Sequence, residues 1–261
     1  MVEIKSFPFH LDALDAIKQY PKQLFYKGDI SLVDKFKISI VGSRQPNQYA
    51  RHKTQELVSK LTNVGVCIVS GGAIGIDAIA HKAAGASNTI MVAATGLDKR
   101  YPAINAKLIE ELEHNGLVLS QFEAGTPSRK YNFVLRNEVV VALGEVLIVS
   151  YADKNSGTMR SVEYALKMGK KVYVLPHRIG ESEGTNKLLE EGKAEAIYDI
   201  DAFVKMYGSS DKQESDSDEG FLLFCKSNPS YEDAVQKFSS RVFEAELQGE
   251  IVVRNGIIEL A

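Results

Sequence analysis

The sequence predicts an α/β protein in which helices cover both faces of a parallel sheet, a doubly wound three-layer fold. Six short runs of apolar, mostly β-branched residues alternate with stretches of helical periodicity, and polar or glycine-containing segments separate them. Strands that are buried on both faces form continuous apolar runs, so this alternation is typical of a parallel sheet between two helical layers. Right-handed crossovers then place helices on both faces of the sheet.

The predicted elements begin with a short segment and continue with six strand-containing units. The first 35 residues contain a predicted short helix over residues 11–20 and extended structure around residues 24–26. The core strands are predicted over residues 38–41, 66–69, 89–94, 117–120, 146–149 and 172–175. Helices are predicted to end near residues 62 and 84, to cover residues 105–114 and 158–167, and to start near residue 133.

The C-terminal part of the chain differs from this repeating pattern. Residues 208–220 are rich in Ser, Asp and Glu and contain no aromatic residue, which predicts an acidic flexible linker. Helical patterns follow, and then two apolar runs flank Asn255-Gly256, a strong signal for a two-residue hairpin turn. Helices followed by a hairpin predict a small winged-helix-like module. The predicted segments are an N-terminal extension (1–35), a main domain (36–207), the linker (208–220) and the module (221–261).

The distribution of charge permits a nucleic-acid partner although the net charge is −3. The acidic excess lies in residues 209–261, which leaves residues 1–208 with a net charge of +3. Cys67 lies within an apolar run and far from Cys225, so a buried reduced thiol and a cytoplasmic location are expected. Membrane association is not expected, because the sequence has neither a signal peptide nor an apolar run long enough to cross a bilayer.

Three loops that follow predicted strands carry residues suited to binding phosphate. They are 42–44 (Gly-Ser-Arg), 70–77 (Ser-Gly-Gly-Ala-Ile-Gly-Ile-Asp) and 155–158 (Asn-Ser-Gly-Thr). Glycine allows the backbone to approach a ligand, arginine can clamp phosphate, and helix N-termini attract anions. Each loop could instead be an ordinary strand-to-helix turn capped by Ser or Thr. Three such loops at the carboxyl edge of one sheet favour a phosphate-binding rim.

A further segment combines basic and aromatic residues. Arg129, Lys130 and Phe133 precede Arg136 and Asn137, and single-stranded nucleic acid requires charge for its backbone and ring faces for its unpaired bases. In the alternative interpretation Phe133 belongs to the core and the basic residues are solvated. Arg136 could likewise be a structural partner of Asp77. We favour stacking on Phe133, because it follows basic residues at the predicted rim.

Enzymatic and metal-binding motifs are absent from the sequence. It contains no G-x-G-x-x-G dinucleotide motif, no Walker A motif and no G-x-S-x-G nucleophile elbow. His10, His52, His114 and His177 show no metal-ligand spacing, and His81 is expected to be structural. No catalytic residue, cofactor or metal is therefore predicted.

Six motifs in order resemble the DprA/Smf family of DNA-processing proteins of bacterial transformation: IVGSRQPNQYA, IVSGGAIGIDAIAHKAA, LDKRYPAINAKLIEELEHNGLVLSQF, FVLRNEVVVAL, SGTMRSVEYA and VLPHRIGESEGTNKLLEEGKA. The resemblance implies an extended Rossmann-like domain that dimerises, binds single-stranded DNA and helps to load RecA recombinase, without catalytic turnover. By motif position, the residues expected to contact DNA are Gly42, Ser43, Arg44, Ser70, Gly71, Gly72, Ala73, Lys130, Phe133, Asn137, Gly157 and Thr158.

The alternative function is an enzymatic one. Rossmann-like proteins of the "lysine decarboxylase" type are nucleoside-monophosphate phosphoribohydrolases and use a Pro-Gly-Gly-x-Gly-Thr-x-x-Glu motif. Here Ser161 stands three residues after Thr158, in place of the glutamate, and Glu163 lies on a different helical face. The sequence therefore favours a DNA-binding protein over this enzyme.

Overall fold

The computed structural model describes residues 2–207, 218–238, 240–254 and 256–260. The chain divides into two compact units, residues 1–207 and residues 208–261. No helix in the described parts of the chain is long and apolar enough to span a membrane.

The first unit is built on one sheet of nine strands. The strands are β1 (Lys5–Ser6), β2 (Phe25–Gly28), β3 (Lys37–Val41), β4 (Cys67–Ser70), β5 (Thr89–Val92), β6 (Leu117–Ser120), β7 (Val146–Val149), β8 (Val172–Val174) and β9 (Glu195–Ala196). The helices are α1 (Gln48–Asn63), α2 (Ile76–Ala84), α3 (Ala106–Asn115), α4 (Lys130–Leu143), α5 (Gly157–Lys167), α6 (Glu183–Glu190) and α7 (Ile200–Tyr207).

The order of the strands is β1-β2-β6-β5-β4-β3-β7-β8-β9, and all pairs from β6 to β9 are parallel. Alternate residues of the strands face opposite helical layers. Ile38 and Ile40 of β3 pack with α1 and α2 on one face, whereas Val41 packs with the layer that contains α4 and α5 on the other. The doubly wound α/β fold predicted from the sequence is therefore confirmed.

The first 35 residues add two strands to the edge of this sheet. β2 pairs antiparallel with β6, and β1 pairs antiparallel with β2. The helix predicted over residues 11–20 is wrong in extent and type, since the structure has a five-residue 3₁₀ turn, Asp12–Ala16. Leu11, Leu14 and Ile17 are all buried, and their spacing of three matches the three residues per turn of a 3₁₀ helix.

The point where the chain reverses its direction through the sheet lies between β3 and β7. The helix after β3 packs on one face and the helix after β7 packs on the other, so their connecting loops diverge at the carboxyl end of the strands. Such a topological switch point leaves a crevice above the sheet, where open α/β sheets bind ligands.

The second unit consists of α8 (Asp218–Cys225), α9 (Tyr231–Phe238), α10 (Ser240–Gln248) and a hairpin of β10 (Ile251–Arg254) and β11 (Ile257–Leu260). It has its own apolar core, which includes Phe221, Phe238 and Ile258. The hairpin pairs Arg254 with Ile257, as the predicted two-residue turn requires. Of the predicted linker 208–220, residues 208–217 lie outside the described residues, and 218–220 form the first turn of α8.

Candidate nucleic-acid interface

A cleft of about 610 Å³ lies above the switch point. It is bounded by the loop after β3, the loop after β7, the beginning of α5 and the first turns of α4. The fold brings nine of the twelve residues predicted to contact DNA to its surface: Gly42, Ser43, Arg44, Ala73, Lys130, Phe133, Asn137, Gly157 and Thr158.

The loop after β3 is held by main-chain hydrogen bonds on both sides. Ser43 N donates to Tyr151 O at 2.8 Å in the loop after β7, and Ile76 N at the start of α2 donates to Ser43 O at 3.1 Å. Gly42 allows this close approach, because an added Cβ would lie 2.5 Å from Cγ1 of Ile76. The loop thereby presents the exposed Arg44 side chain to the cleft.

The loop after β4, which the sequence predicts to contact DNA, is partly closed by internal hydrogen bonds. Ser70 and Gly72 are buried: the Ser70 hydroxyl donates to Ile40 O at 2.6 Å, and Gly72 packs against Met91. Ala73 N donates to Asp77 Oδ2 at 3.3 Å, so this N–H has an internal partner, as Ile76 N does. Of the four residues predicted here, Ala73 lines the cleft and Gly71 lines a smaller adjoining pocket. Ser70 and Gly72 line neither cavity.

Arg136 links this closed loop to the sheet and to α4. Its guanidinium Nη1 donates to Gly71 O and to Val92 O, the latter at 2.9 Å, and its Nε donates to Asn137 Oδ1 at 3.1 Å. Burial lowers the pKa of Arg136, and the carboxylate of Asp77 opposes that shift. Burial raises the pKa of Asp77, and Arg136 opposes this in turn. The structure therefore supports a structural role for Arg136, in which its direct partners are two backbone carbonyls and the side chain of Asn137, and not Asp77.

Phe133 lies at the centre of the cleft, on the first turn of α4. Its ring is half-buried, belongs to none of the apolar core clusters, and has its centroid 5.8 Å from that of Tyr101. The guanidinium carbons of Arg44 and Arg136 lie 5.6 Å and 5.9 Å from the Phe133 centroid. This position agrees with the stacking interpretation, since two cations and a second ring surround an aromatic side chain that is accessible from the cleft.

The sequence reasoning did not single out two further groups at this site. Tyr101, which is 44% exposed, and Ile74 line the adjoining pocket of about 100 Å³ together with Phe133 and Arg136. Arg160 is exposed and lines the main cleft. Tyr101 follows Lys99 and Arg100. This second combination of basic and aromatic residues is the sequence signal that could have identified Tyr101 as a site residue.

The beginning of α5 forms the opposite wall of the cleft. Ser156 precedes the first turn but makes no side-chain capping hydrogen bond, and its buried hydroxyl has no partner among the described residues. The capping interpretation is therefore wrong for Ser156. Gly157 and Thr158 of the first turn line the cleft together with the exposed cations of Arg44, Lys130 and Arg160, so the positive end of the helix dipole adds to the positive charge there.

Comparison with known proteins identifies the family of the chain. The family model of DNA recombination-mediator protein A matches residues 1–208. The chain belongs to this family. Among curated relatives, DNA processing protein DprA of Streptococcus pneumoniae is 37% identical over 69% of this chain and 64% of its own length. Protein Smf of Escherichia coli is 34% identical over 70% of this chain and 50% of its own length. The chain thus matches between half and two thirds of these relatives.

Two solved structures share the fold. DNA processing protein A of Helicobacter pylori, whose structure describes a single-stranded DNA binding mode, is 40% identical, with a TM-score of 0.77 over 78% of this chain and 95% of that one. The X-ray structure of DprA from Streptococcus pneumoniae is 34% identical, with a TM-score of 0.71 over 76% of this chain and 72% of that one. The family resemblance and the Rossmann-like fold inferred from the motifs are confirmed.

Proposed function

We propose that this chain binds single-stranded DNA in the cleft above the switch point. The observation that carries the proposal is the placement of Phe133 and Tyr101 within a rim of exposed cations. Unpaired bases offer ring faces for stacking and a flexible backbone for the cations to follow, and this arrangement supplies partners for both. The relative from Helicobacter pylori, which binds single-stranded DNA, supports the same conclusion.

Different residues serve the two parts of the nucleotide. Arg44, Lys130 and Arg160 provide exposed positive charge for phosphates, and the first turn of α5 adds main-chain N–H groups. Gly157 is exposed and has no atom within 4 Å of the position of a Cβ, so a phosphate can approach the backbone there. Phe133 provides the ring on which a base stacks.

The same arrangement selects single strands over duplexes. The Phe133 ring is half-buried and lies within 6 Å of two guanidinium carbons, so a base must leave a stack to reach its accessible face. In a duplex the base faces are occupied by neighbouring bases, and only the phosphates would contact the rim. The cleft therefore gains stacking energy from unpaired bases alone.

We propose binding without catalytic turnover. Asp77 and Ser161 both line the cleft but are buried, and Asp77 accepts a hydrogen bond from Ala73 N. The glutamate required by the nucleotide-cleaving enzymes is replaced by Ser161, which supports the binding function over hydrolysis. A nucleoside monophosphate incubated with the protein should therefore release no free base.

We further propose that the protein acts in natural transformation, in the cytoplasm, as a homodimer that delivers its strand to RecA recombinase. Membership of the recombination-mediator family supports the delivery role. Two clefts in one dimer would hold a longer strand by raising the effective concentration of the second site. The buried free thiols of Cys67 and Cys225 are compatible with a reducing compartment. Light scattering tests the dimer, and strand-exchange assays with RecA test delivery.

Equilibrium binding tests the function directly. Fluorescence anisotropy with matched single-stranded and double-stranded oligonucleotides should show tighter binding of the single strand, and a parallel assay should detect no base release from a nucleoside monophosphate. Base release would favour the phosphoribohydrolase. Equal or stronger binding of the duplex would refute the proposed selectivity.

A further inference from the structure

A second cavity, of about 520 Å³, lies at the carboxyl end of β8. It is lined by residues from the loop after β3 and the start of α1 on one side and from the segment after β8 on the other, among them Asn47, Tyr49, His177, Arg178 and Glu181. We call it the β8 pocket. None of these residues belongs to the cleft around Phe133.

The β8 pocket and the cleft share structural elements. The loop after β3 places Arg44 in the cleft, and the first turn of α1, five residues later, places Tyr49 in the β8 pocket. Tyr151 connects the two sites, because its carbonyl accepts the hydrogen bond from Ser43 N and its ring packs edge-on to His177 at 5.1 Å. The β8 pocket and the cleft are therefore joined through the loop after β3 and Tyr151.

An aromatic side chain is accessible in the β8 pocket. Tyr49 is 43% exposed and lies with its ring centroid 5.4 Å from that of His177, at an interplanar angle of 83°. His177 fixes this arrangement, since its Nε2–H donates to Ser150 O at 2.8 Å. Burial lowers the pKa of His177, so its ring is neutral near pH 7 and Nδ1 carries a lone pair. That Nδ1 has no hydrogen-bond partner in the described parts of the chain.

The polar groups of the β8 pocket favour a base over a phosphate. Glu181 Oε2 accepts a hydrogen bond from Asn47 Nδ2 at 3.1 Å, and the second carboxylate oxygen has no hydrogen bond to the described residues. A carboxylate repels phosphate but accepts hydrogen bonds from the exocyclic amino group of a base, as acidic side chains do with cytosine N4. Arg178, which is exposed at the pocket, can neutralise the adjacent phosphate.

We propose that the β8 pocket binds an unpaired nucleobase that carries an exocyclic amino group, as the continuation of a single strand held in the cleft. The base stacks on Tyr49 and donates its amino hydrogen to Glu181. This inference rests on the proposed function, and it adds a preference for cytosine, adenine or guanine over thymine at one position of the strand.

The test compares oligonucleotide lengths and compositions in the full chain at constant salt. Anisotropy is measured with oligothymidylates of about 4 and about 12 nucleotides, lengths that bracket common single-strand site sizes, and with 12-mers that carry dC at either end. The variants are Tyr49→Ala, Tyr49→Phe and Glu181→Gln. Phe36→Ala is the matched control. Phe36 is also 43% exposed, but it lies at the amino end of β3, whereas the β8 pocket lies at the carboxyl end of β8.

We expect Tyr49→Ala to weaken binding of the dC-containing 12-mer about 5- to 150-fold, the loss of one stacked base, and to leave the 4-mer unaffected. Tyr49→Phe and Phe36→Ala should bind like the wild type. Glu181→Gln should abolish the preference for dC over dT, which keeps the proposal testable if Tyr49→Ala does not fold.

Three results would overturn the inference. Unchanged 12-mer binding by a folded Tyr49→Ala variant would refute base binding in the β8 pocket, and so would a wild type with no preference for dC over dT. Both results would leave the proposed function intact. Failure of the wild type to bind any oligonucleotide would refute the function and the pocket together.

Discussion

Replacement of Phe133 by alanine separates the two interpretations of the cleft. The substitution removes a half-buried ring that contacts Tyr101 and lies within 6 Å of the guanidinium carbons of Arg44 and Arg136. Both cation–ring distances are close to the outer limit for such contacts, so each contributes about 0.5 kcal/mol. With the partial burial of the ring, we expect the free energy of unfolding to fall by about 1–2 kcal/mol.

This expected loss is smaller than that for a core residue. Truncation of a fully buried Phe costs about 3–5 kcal/mol, and the structure places Phe133 outside the apolar core clusters. The loss of one stacked base should meanwhile weaken binding of single-stranded DNA by about 1–3 kcal/mol, with little dependence on salt. The two effects are separable because they are measured on different equilibria.

The assay combines denaturant unfolding with anisotropy titrations of an oligonucleotide and of its abasic counterpart. Phe133→Ala should remain folded, bind the oligonucleotide weakly and show little change with the abasic strand, whereas Phe133→Tyr should retain binding. A loss of 3 kcal/mol or more in stability with a proportionate loss of binding would support the core interpretation. A stable variant with wild-type affinity would refute stacking on this ring.

Three further predictions concern charge, pH and domain organisation. Arg44→Ala should weaken binding to all sequences and reduce the magnitude of the slope of log K against log salt by about 0.7, the value expected for one phosphate contact with a single strand. An unchanged slope would contradict the role of Arg44 as a phosphate contact. Burial lowers the pKa of His81 to about 3, so the unfolded chain takes up a proton below pH 6.5 that the folded chain does not. Stability should therefore fall by about 1.4 kcal/mol for each pH unit from 6.5 towards 3, a slope that His81→Gln should remove in acid unfolding titrations. Cleavage within residues 209–219 should leave a folded 1–208 fragment with most of its single-strand affinity, because every residue lining the cleft precedes residue 162, and a fragment that unfolds or fails to bind would contradict this.

The sequence predicts the sheet well because its signals are local. Each core strand contains a short, mostly apolar run that is buried on both faces, so the local pattern of residues locates the strands. The Asn-Gly pair likewise fixes the hairpin of the second unit. Strands β1 and β2 are short and at least partly exposed. β2 pairs antiparallel with β6, which is distant in sequence, and β1 pairs with β2, so no local pattern indicates this part of the sheet.

The cleft is predicted less completely because its composition depends on tertiary contacts. The loop after β4 carries the same Gly and Ser residues as an anion-binding turn, but the N–H groups of Ala73 and Ile76 are occupied by Asp77 and by Ser43 O. No sequence pattern reveals that occupation. Tyr101 reaches Phe133 only because the segment after β5 lies beside the beginning of α4, which is a property of the fold and not of either segment.

The central claim is that a rim of cations and aromatic rings in this cleft binds single-stranded DNA. Equilibrium binding of matched single and double strands over a salt series tests it most directly. Three exposed cations, Arg44, Lys130 and Arg160, predict tighter binding of the single strand with a log–log salt slope of about −2 from the cleft. Preference for the duplex, or single-strand binding that does not depend on salt, would contradict the account.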